Sequence, residues 1–444
     1  MDILQKNALF LLLKKLCYNI FMKKINTSPI SGMQELLPET QAIFDRYKNV
    51  ISEVYHNHGF LNIETPIIDR NEILLAKAGG DTEKQIYKVV KTAETEEDAD
   101  QALRFDHTVP LARYVVEHEN DLTFPFKVTQ IGRNFRGERA QKGRFREFYQ
   151  CDVDVIGRGN LSIYYDADVI ATLLDAFKGF ELGTPVLARI NNRKILTGFV
   201  EAMGLQDLAD KIFGIIDHAE KVSPEATRGA FEELGIEQAK VNQLIKFIGI
   251  HGGRASVTQA LREFGDLNDT YKKGINELEK VMLALEMDGR GTDIEADMLI
   301  VRGLDYYTGT VFEFVLPEYK QVGSVCGGGR YENLAGFFTE QALPGVGGSI
   351  GLTRLFYVLN ENNLVKSQEE KPIDTAIIPI TENEIEYAMK VAKERRDAGE
   401  KTTIVATDKR LGDKLAYAAK LAKNGIVIGE TEAKTNHYEI KTFN

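Results

Sequence analysis

Between Arg133 and Glu147 the chain carries six basic residues and two acidic ones, with Phe135 and Phe145 set among the arginines and Phe148 just beyond. A charge run alone reads as a solvated face. Here apolar residues interleave with the charges, and strand-like sequence flanks the run over Phe126–Phe135 and Phe145–Ile156. Such an arrangement holds guanidinium groups over a pocket, and their planar fork suits bidentate contact with phosphate. No GxxxxGK[ST] and no GxGxxG after a first strand occurs, so the phosphate chemistry is neither that of a P-loop nor that of a dinucleotide fold. Three further clusters follow in the sequence. LIVRGLDYYTGTVFE (Leu299–Glu313) places Arg302, Tyr306 and Tyr307 at a strand end. CGGGRY (Cys326–Tyr331) has a triple glycine that lets backbone approach a ligand closely. GVGGSIGLTRL (Gly345–Leu355) reads as a strand running into a helix that carries Arg354. Taken singly, these read equally as a tyrosine-rich hairpin, a turn and a helix-surface arginine.

The elements that must position them follow from periodicity. Ile43, Phe44, Tyr47, Val50, Ile51 and Val54 recur at helical spacing, predicting a helix over Gln41–His56 that Gly59 ends. Phe60–Ile68 alternates and contains Pro66, predicting a strand with its proline at an edge or bend. The short basic connection between Phe126–Phe135 and Phe145–Ile156 implies antiparallel pairing. Residues 202–287 repeat apolar residues at helical spacing and read as a helical insertion. Strand-like segments return at Met298–Val301, Thr310–Leu316 and Gln321–Val325. After a polar linker, Thr375–Ile380, Thr403–Ala406 and Ile426–Ile428 alternate with helices, one of them built on Ile385, Ala388, Met389 and Ala392. That order implies a parallel sheet. The expected organisation is an extension at 1–24, a catalytic domain in two parts (25–201 and 288–365) around the 202–287 insertion, and a C-terminal α/β domain at 372–444.

Composition sets outer bounds. A chain of 444 residues with 43% apolar and 27% charged content is a globular protein of more than one domain. Its net charge of −11 excludes a general nucleic-acid coat, since non-specific binding rests on phosphate neutralisation. Residues 372–444 balance twelve basic against twelve acidic residues, so the acidity lies earlier in the chain. No run of eighteen apolar residues occurs, which argues against a membrane span. Three cysteines without a CxxC, and seven histidines without ligand spacing, predict a reduced, cytoplasmic setting and no protein-ligated metal. The apolar, lysine-interrupted run Ala8–Phe21 suggests either that translation begins at Met22 or that an amphipathic leader precedes the domain.

Read together and in order, these segments resemble the class II aminoacyl-tRNA synthetases. Phe135-Arg136-Gly137-Glu138 through Gln150 resembles motif 2 of that class, Gly348–Arg354 motif 3, and the strand ending at Pro66 motif 1. Arg302-Gly303-Leu304-Asp305-Tyr306-Tyr307 and CGGGRY resemble the two signatures of the histidyl-tRNA synthetase family. The resemblance covers roughly residues 27–440. It implies an α+β catalytic domain built on an antiparallel sheet (the class II synthetase fold), a helical insertion and a C-terminal α/β anticodon-binding domain. It also implies ATP-dependent ligation of histidine to tRNA(His) through a histidyl-adenylate, with Mg2+ and a homodimer. The resemblance assigns Arg136 to the α-phosphate, Arg354 to the γ-phosphate, Glu138 and Arg144 to nucleotide orientation, and Arg302 to the α-phosphate and carboxylate. Asp106, Thr108 and Gln150 match contacts to the amino group; Asp154 and Tyr307 match contacts to the imidazole, with Tyr306 beside them. Gln141 and Arg144 are candidates for the tRNA acceptor end.

The chain departs from the family pattern in places. Many members carry Glu where Asp106 and Asp154 stand, His107 falls at a variable position, and the C-terminal domain stops early at Asn444. A regulatory relative of the synthetase, partnering the first enzyme of histidine biosynthesis, is the main alternative; such proteins lack the anticodon domain and lose catalytic side chains.

Overall fold

The computed structural model describes residues 26–76, 83–93, 95, 99–139, 143–301, 307–332, 334–365 and 371–443. The chain divides into two compact units, one holding residues 44–365 and the other residues 366–444 together with 37–43.

A nine-stranded sheet forms the first unit. Towards one edge it holds the hairpin β5 (Phe126–Phe135) and β6 (Glu147–Ile156), antiparallel with Phe126 opposite Ile156 and Phe135 opposite Glu147. β6 then pairs antiparallel with β12 (Gly345–Ile350), β12 with β11 (Cys326–Tyr331), β11 with β10 (Tyr307–Val315), and β10 with β7 (Leu187–Asn192). Parallel pairs occur only towards the edges, where β1 (Leu61–Asn62) meets β5 and β9 (Ile294–Asp297) meets β7. β8 (His251–Gly252), from within the largely helical stretch 202–287, closes the far edge against β9. A small antiparallel sheet of β2 (Ile68–Arg70), β3 (Lys88–Val89) and β4 (Gln101–Leu103) lies apart. Helix Tyr164–Gly179 covers one face of the large sheet, where Gly348 leaves no room for a side chain: a Cβ there would come within 2.7 Å of Leu173 and 2.8 Å of Phe312. Helices Arg193–Ala202 and Asp269–Met287 cross at Gly198 and Gly274, each too close to the opposing backbone to carry a Cβ (2.5 Å and 2.7 Å).

Several expectations need correction. Met298–Val301 is not a strand; the strand is β9, one step earlier. Its charged residues disguise it, because Glu295 and Asp297 pair with Arg189 of β7. Asp297 also accepts the backbone N–H of Leu299 at 2.9 Å, which turns the chain where the strand was expected. Gln321–Val325 is not a strand either. Pro317 starts a 3-10 turn that runs to Val322, and Gly323 leaves it at φ 68°. Phe60–Ile68 is broken around Pro66, with strand only at its two ends, in β1 and at Ile68.

The second unit is a parallel sheet of β14 (Thr402–Ile404), β13 (Ile373–Pro379) and β15 (Ala422–Ile428), with β16 (Lys441–Thr442) antiparallel at its edge. Helix Ile385–Asp397 buries Ala388, Val391 and Ala392, while Met389 is exposed. The face is therefore one position away from the expected one.

Candidate active site

A cavity of about 360 Å³ opens over the β6–β12–β11–β10 face. It brings together Asp106, Thr108, Arg136, Gln150, Asp154, Tyr307 and Arg354, seven of the residues singled out from the sequence. Glu138 and Arg144 are absent from its lining and pair with each other at 3.1 Å at the turn of the β5–β6 hairpin. Arg302, Tyr306 and Gln141 lie outside the described residues.

The strand period explains the lower half of this site. Residues two apart on a strand share a face, so Gln150, Asp152 and Asp154 of β6 project together. β12 faces them with Gly347 opposite Asp154 and Ser349 opposite Asp152. A Cβ on Gly347 would sit 2.0 Å from the Asp154 carboxylate, and one on Gly345 2.3 Å from the Tyr331 ring. A Cβ on Gly329 would lie 2.9 Å from the Tyr307 ring. Three site side chains thus lie flat on glycines of neighbouring strands. Gly329, Gly345 and Gly347 make room for protein side chains, while Gly327, Gly328, Gly347 and Gly348 also line the cavity. Gly328 shows the same use, since its missing Cβ is replaced by the Gly347 carbonyl and the Phe312 ring.

Tyr331 donates its hydroxyl to Asp154 Oδ1 at 2.9 Å. Burial, and next the charge of Asp152, push the Asp154 carboxyl well above the usual carboxylate range. Burial likewise pushes Asp106 up to about 6. One Asp106 oxygen accepts the Val109 N–H at 3.1 Å and so starts helix Thr108–Glu117; the other is buried without a hydrogen bond. A side-chain relay runs across the cavity floor. Asn134 Nδ2 donates to Gln150 Oε1 (2.9 Å), Gln150 Nε2 to Ser349 Oγ (2.9 Å), and Ser349 Oγ to Asp152. Three carboxylates therefore converge in a largely desolvated space, which suits a ligand bearing positive charge and N–H donors.

The opposite wall is cationic. Arg136 follows β5 directly, donates from Nε to the Phe105 carbonyl (3.1 Å) and lies 5.1 Å over the Phe148 ring. Arg354 sits in the first turn of helix Leu352–Glu361 and bonds the Val322 carbonyl at 2.9 Å. Arg330 of CGGGRY is not part of this wall. It is buried against Asp166 of helix Tyr164–Gly179 at 2.7 Å and ties β11 to the covering helix. Sequence reasoning missed Asp152, Ser349, Tyr331 and Glu313, all of which line the cavity. For Asp152 the signal was available in the i, i+2, i+4 spacing of Gln150, Asp152 and Asp154.

The chain that carries this cleft is matched by known proteins along most of its length. A family model described as histidyl-tRNA synthetase matches residues 32–355, and one described as anticodon binding domain matches residues 374–444. The chain belongs to the histidyl-tRNA synthetase family. It is 45% identical over 428 residues to the histidine–tRNA ligase of Clostridium tetani, covering 95% of each chain. It is 39% identical to that of Finegoldia magna, covering 94% of this chain and 96% of the other. A crystal structure of histidyl-tRNA synthetase from a Nostoc species superposes with a TM-score of 0.84 at 34% identity, covering 94% of this chain and 95% of that one. A protein of Bacillus halodurans described as an ATP phosphoribosyltransferase regulatory subunit/histidyl-tRNA synthetase shares the fold at 21% identity and a TM-score of 0.75.

Proposed function

We propose that this protein activates histidine with ATP and transfers it to tRNA(His). The observation that carries the reading is the convergence of Asp106, Asp152 and Asp154 under Tyr307 and Tyr331, faced by Arg136 and Arg354 across one cavity. Histidine presents an ammonium group and an imidazole N–H to such a floor, and its carboxylate to the arginines. Asp106, Thr108 and Gln150 hold the amino group, while Asp154 and Tyr307, with Tyr306 beside them, read the imidazole. A side chain lacking the ring N–H leaves the buried Asp154 unpaired, a penalty that supports discrimination.

In the first half-reaction the histidine carboxylate attacks the α-phosphate and pyrophosphate leaves. Two anions must meet, so fixed cations supply most of the acceleration. Arg136 serves the α-phosphate, Arg354 the γ-phosphate, and Arg302 the α-phosphate and the attacking carboxylate. Glu138 and Arg144 orient the nucleotide at the hairpin turn. Among the described residues no group of three His, Cys, Asp or Glu side chains could hold a metal. Mg2+ bound with ATP would neutralise phosphate charge, and Glu313 of the cavity wall is a carboxylate that would help to hold it. The ribose at the tRNA 3′ end then takes the histidyl group. Gln141 and Arg144 meet the acceptor end, and the unit at 372–444 meets the anticodon.

A homodimer through the segment around Pro66 belongs to the same reading. Leu61, Ile67 and Ile68 are exposed there, and β1 is an edge strand of the large sheet. Charging of a tRNA(His) transcript with labelled histidine tests the proposal. Histidine ester at the 3′ end is expected; adenylate formation without any charging would leave only the first half-reaction.

A further inference from the structure

His107 precedes helix Thr108–Glu117 and is 1% exposed. A histidine at a helix start is ordinarily solvated; this one is enclosed by β5 and β6. Its backbone carbonyl accepts Gln130 Nε2 at 3.2 Å, which fixes the main chain to β5. A Cβ on Gly132 would lie 2.6 Å from the Arg104 guanidinium and 3.3 Å from His107 Nε2, so glycine at that point of β5 leaves room chiefly for Arg104 and relieves a close contact with the ring. Nδ1 stands 3.2 Å from Asp152 Oδ2, and neither ring nitrogen makes an aligned hydrogen bond. Asp152 is itself nearly enclosed, and its other oxygen receives Ser349 Oγ, the end of the relay from Gln150.

We propose that His107 is a positioning residue for the amino-acid site: held 3.2 Å from Asp152, it fixes the carboxylate that anchors the Ser349–Gln150 relay, and so fixes the face of Gln150 offered to the substrate amino group. The inference rests on the histidine-activation reading. The relay has a direction. Gln150 Nε2 donates to Ser349 only while Ser349 donates to Asp152, and that leaves Gln150 Oε1, already an acceptor for Asn134, with its second lone pair for an ammonium donor. If Asp152 swings away, Ser349 is free to donate towards Gln150, and the amide loses its reason to keep the oxygen towards the ligand. The charged groups packed around the ring are Asp106 on its own segment, Arg104 beside β5, and Asp152 on β6. The His107 ring stands beside Asp152 and is not among the residues that line the cavity.

The geometry of the two ring nitrogens supplies the test. Asparagine at position 107 places an amide nitrogen where Nδ1 stands; glutamine places one where Nε2 stands, away from Asp152, while filling the space better. Steady-state ATP–pyrophosphate exchange is measured for the full chain, His107→Asn, His107→Gln and Asp152→Asn, varying histidine and ATP separately. His107→Gln and Asp152→Asn are expected to raise the KM for histidine about tenfold, as for loss of the contact that holds the relay to Gln150. His107→Asn is expected to stay within about threefold of the parent, with KM for ATP and kcat nearly constant in both His107 variants. Glutamine equal to or better than asparagine assigns the ring a packing role and overturns the inference. A fall in kcat without change in the KM for histidine also overturns it. No histidine-dependent exchange in the parent overturns the activity reading itself, and this inference with it.

Discussion

Asp106 has a buried side chain, one oxygen of which makes no hydrogen bond. Its folded value of about 6 lies above the ordinary 3.8, so the folded state binds the proton more tightly than the unfolded chain. Its contribution to stability is present below the unfolded value and is lost as pH rises through about 6. At neutral pH the ionised group opposes folding by on the order of 3 kcal/mol. Asp106→Asn, which keeps an oxygen for the Val109 N–H, should therefore raise the thermal midpoint at about pH 7.5 and lose that advantage towards about pH 4. The same variant should weaken histidine binding in exchange kinetics. A lower midpoint at neutral pH would show that Asp106 supports the fold. At this scale Arg136, Asp154 and Arg354, singled out by motif position, line one cavity. The sequence was read poorly where a side chain acts through another strand. Ser349 and Asp152 lie 197 positions apart and meet only because β12 pairs with β6.

Glycines set the spacing of the site at the scale of the strand. Gly347 lies beneath the Asp154 carboxylate and Gly345 beneath the Tyr331 ring. Gly347→Ala should displace Asp154 and cut histidine-dependent exchange by roughly a hundredfold, a loss expected when reacting groups shift by about an ångström. ATP binding, assigned to Arg136 and Arg354 beyond the strand ends, should survive in an equilibrium measurement; equal loss of both would mean the sheet itself has failed. Arg330 makes the opposite point. It stands in the same six-residue segment as the glycines, yet it serves the packing of helix Tyr164–Gly179. Arg330→Met leaves Asp166 buried without its partner and should lower unfolding stability by about 3–5 kcal/mol in denaturant titration. Little loss would mean that Asp166 finds water or another donor. The alternation of β5 and β6 made that hairpin legible to within two residues at each end. β9 was hidden because its Glu295 and Asp297 are paired internally with Arg189, a pattern that resembles a polar loop.

For the whole molecule, the class II fold and the family were legible because five separated segments agree in order, from motif 1 near Pro66 to motif 3 at Arg354. The exposed apolar residues Leu61, Ile67 and Ile68 extend that reading to assembly. Sedimentation equilibrium at micromolar concentration should give the mass of two chains, and a single-chain mass would contradict the dimer. The central claim concerns the choice of amino acid, which the carboxylate floor and the tyrosines over it make. It is tested most directly by ATP–pyrophosphate exchange with each of the standard amino acids in turn. Exchange with histidine alone is the predicted result; exchange with another amino acid at comparable efficiency, or with none, would contradict the account.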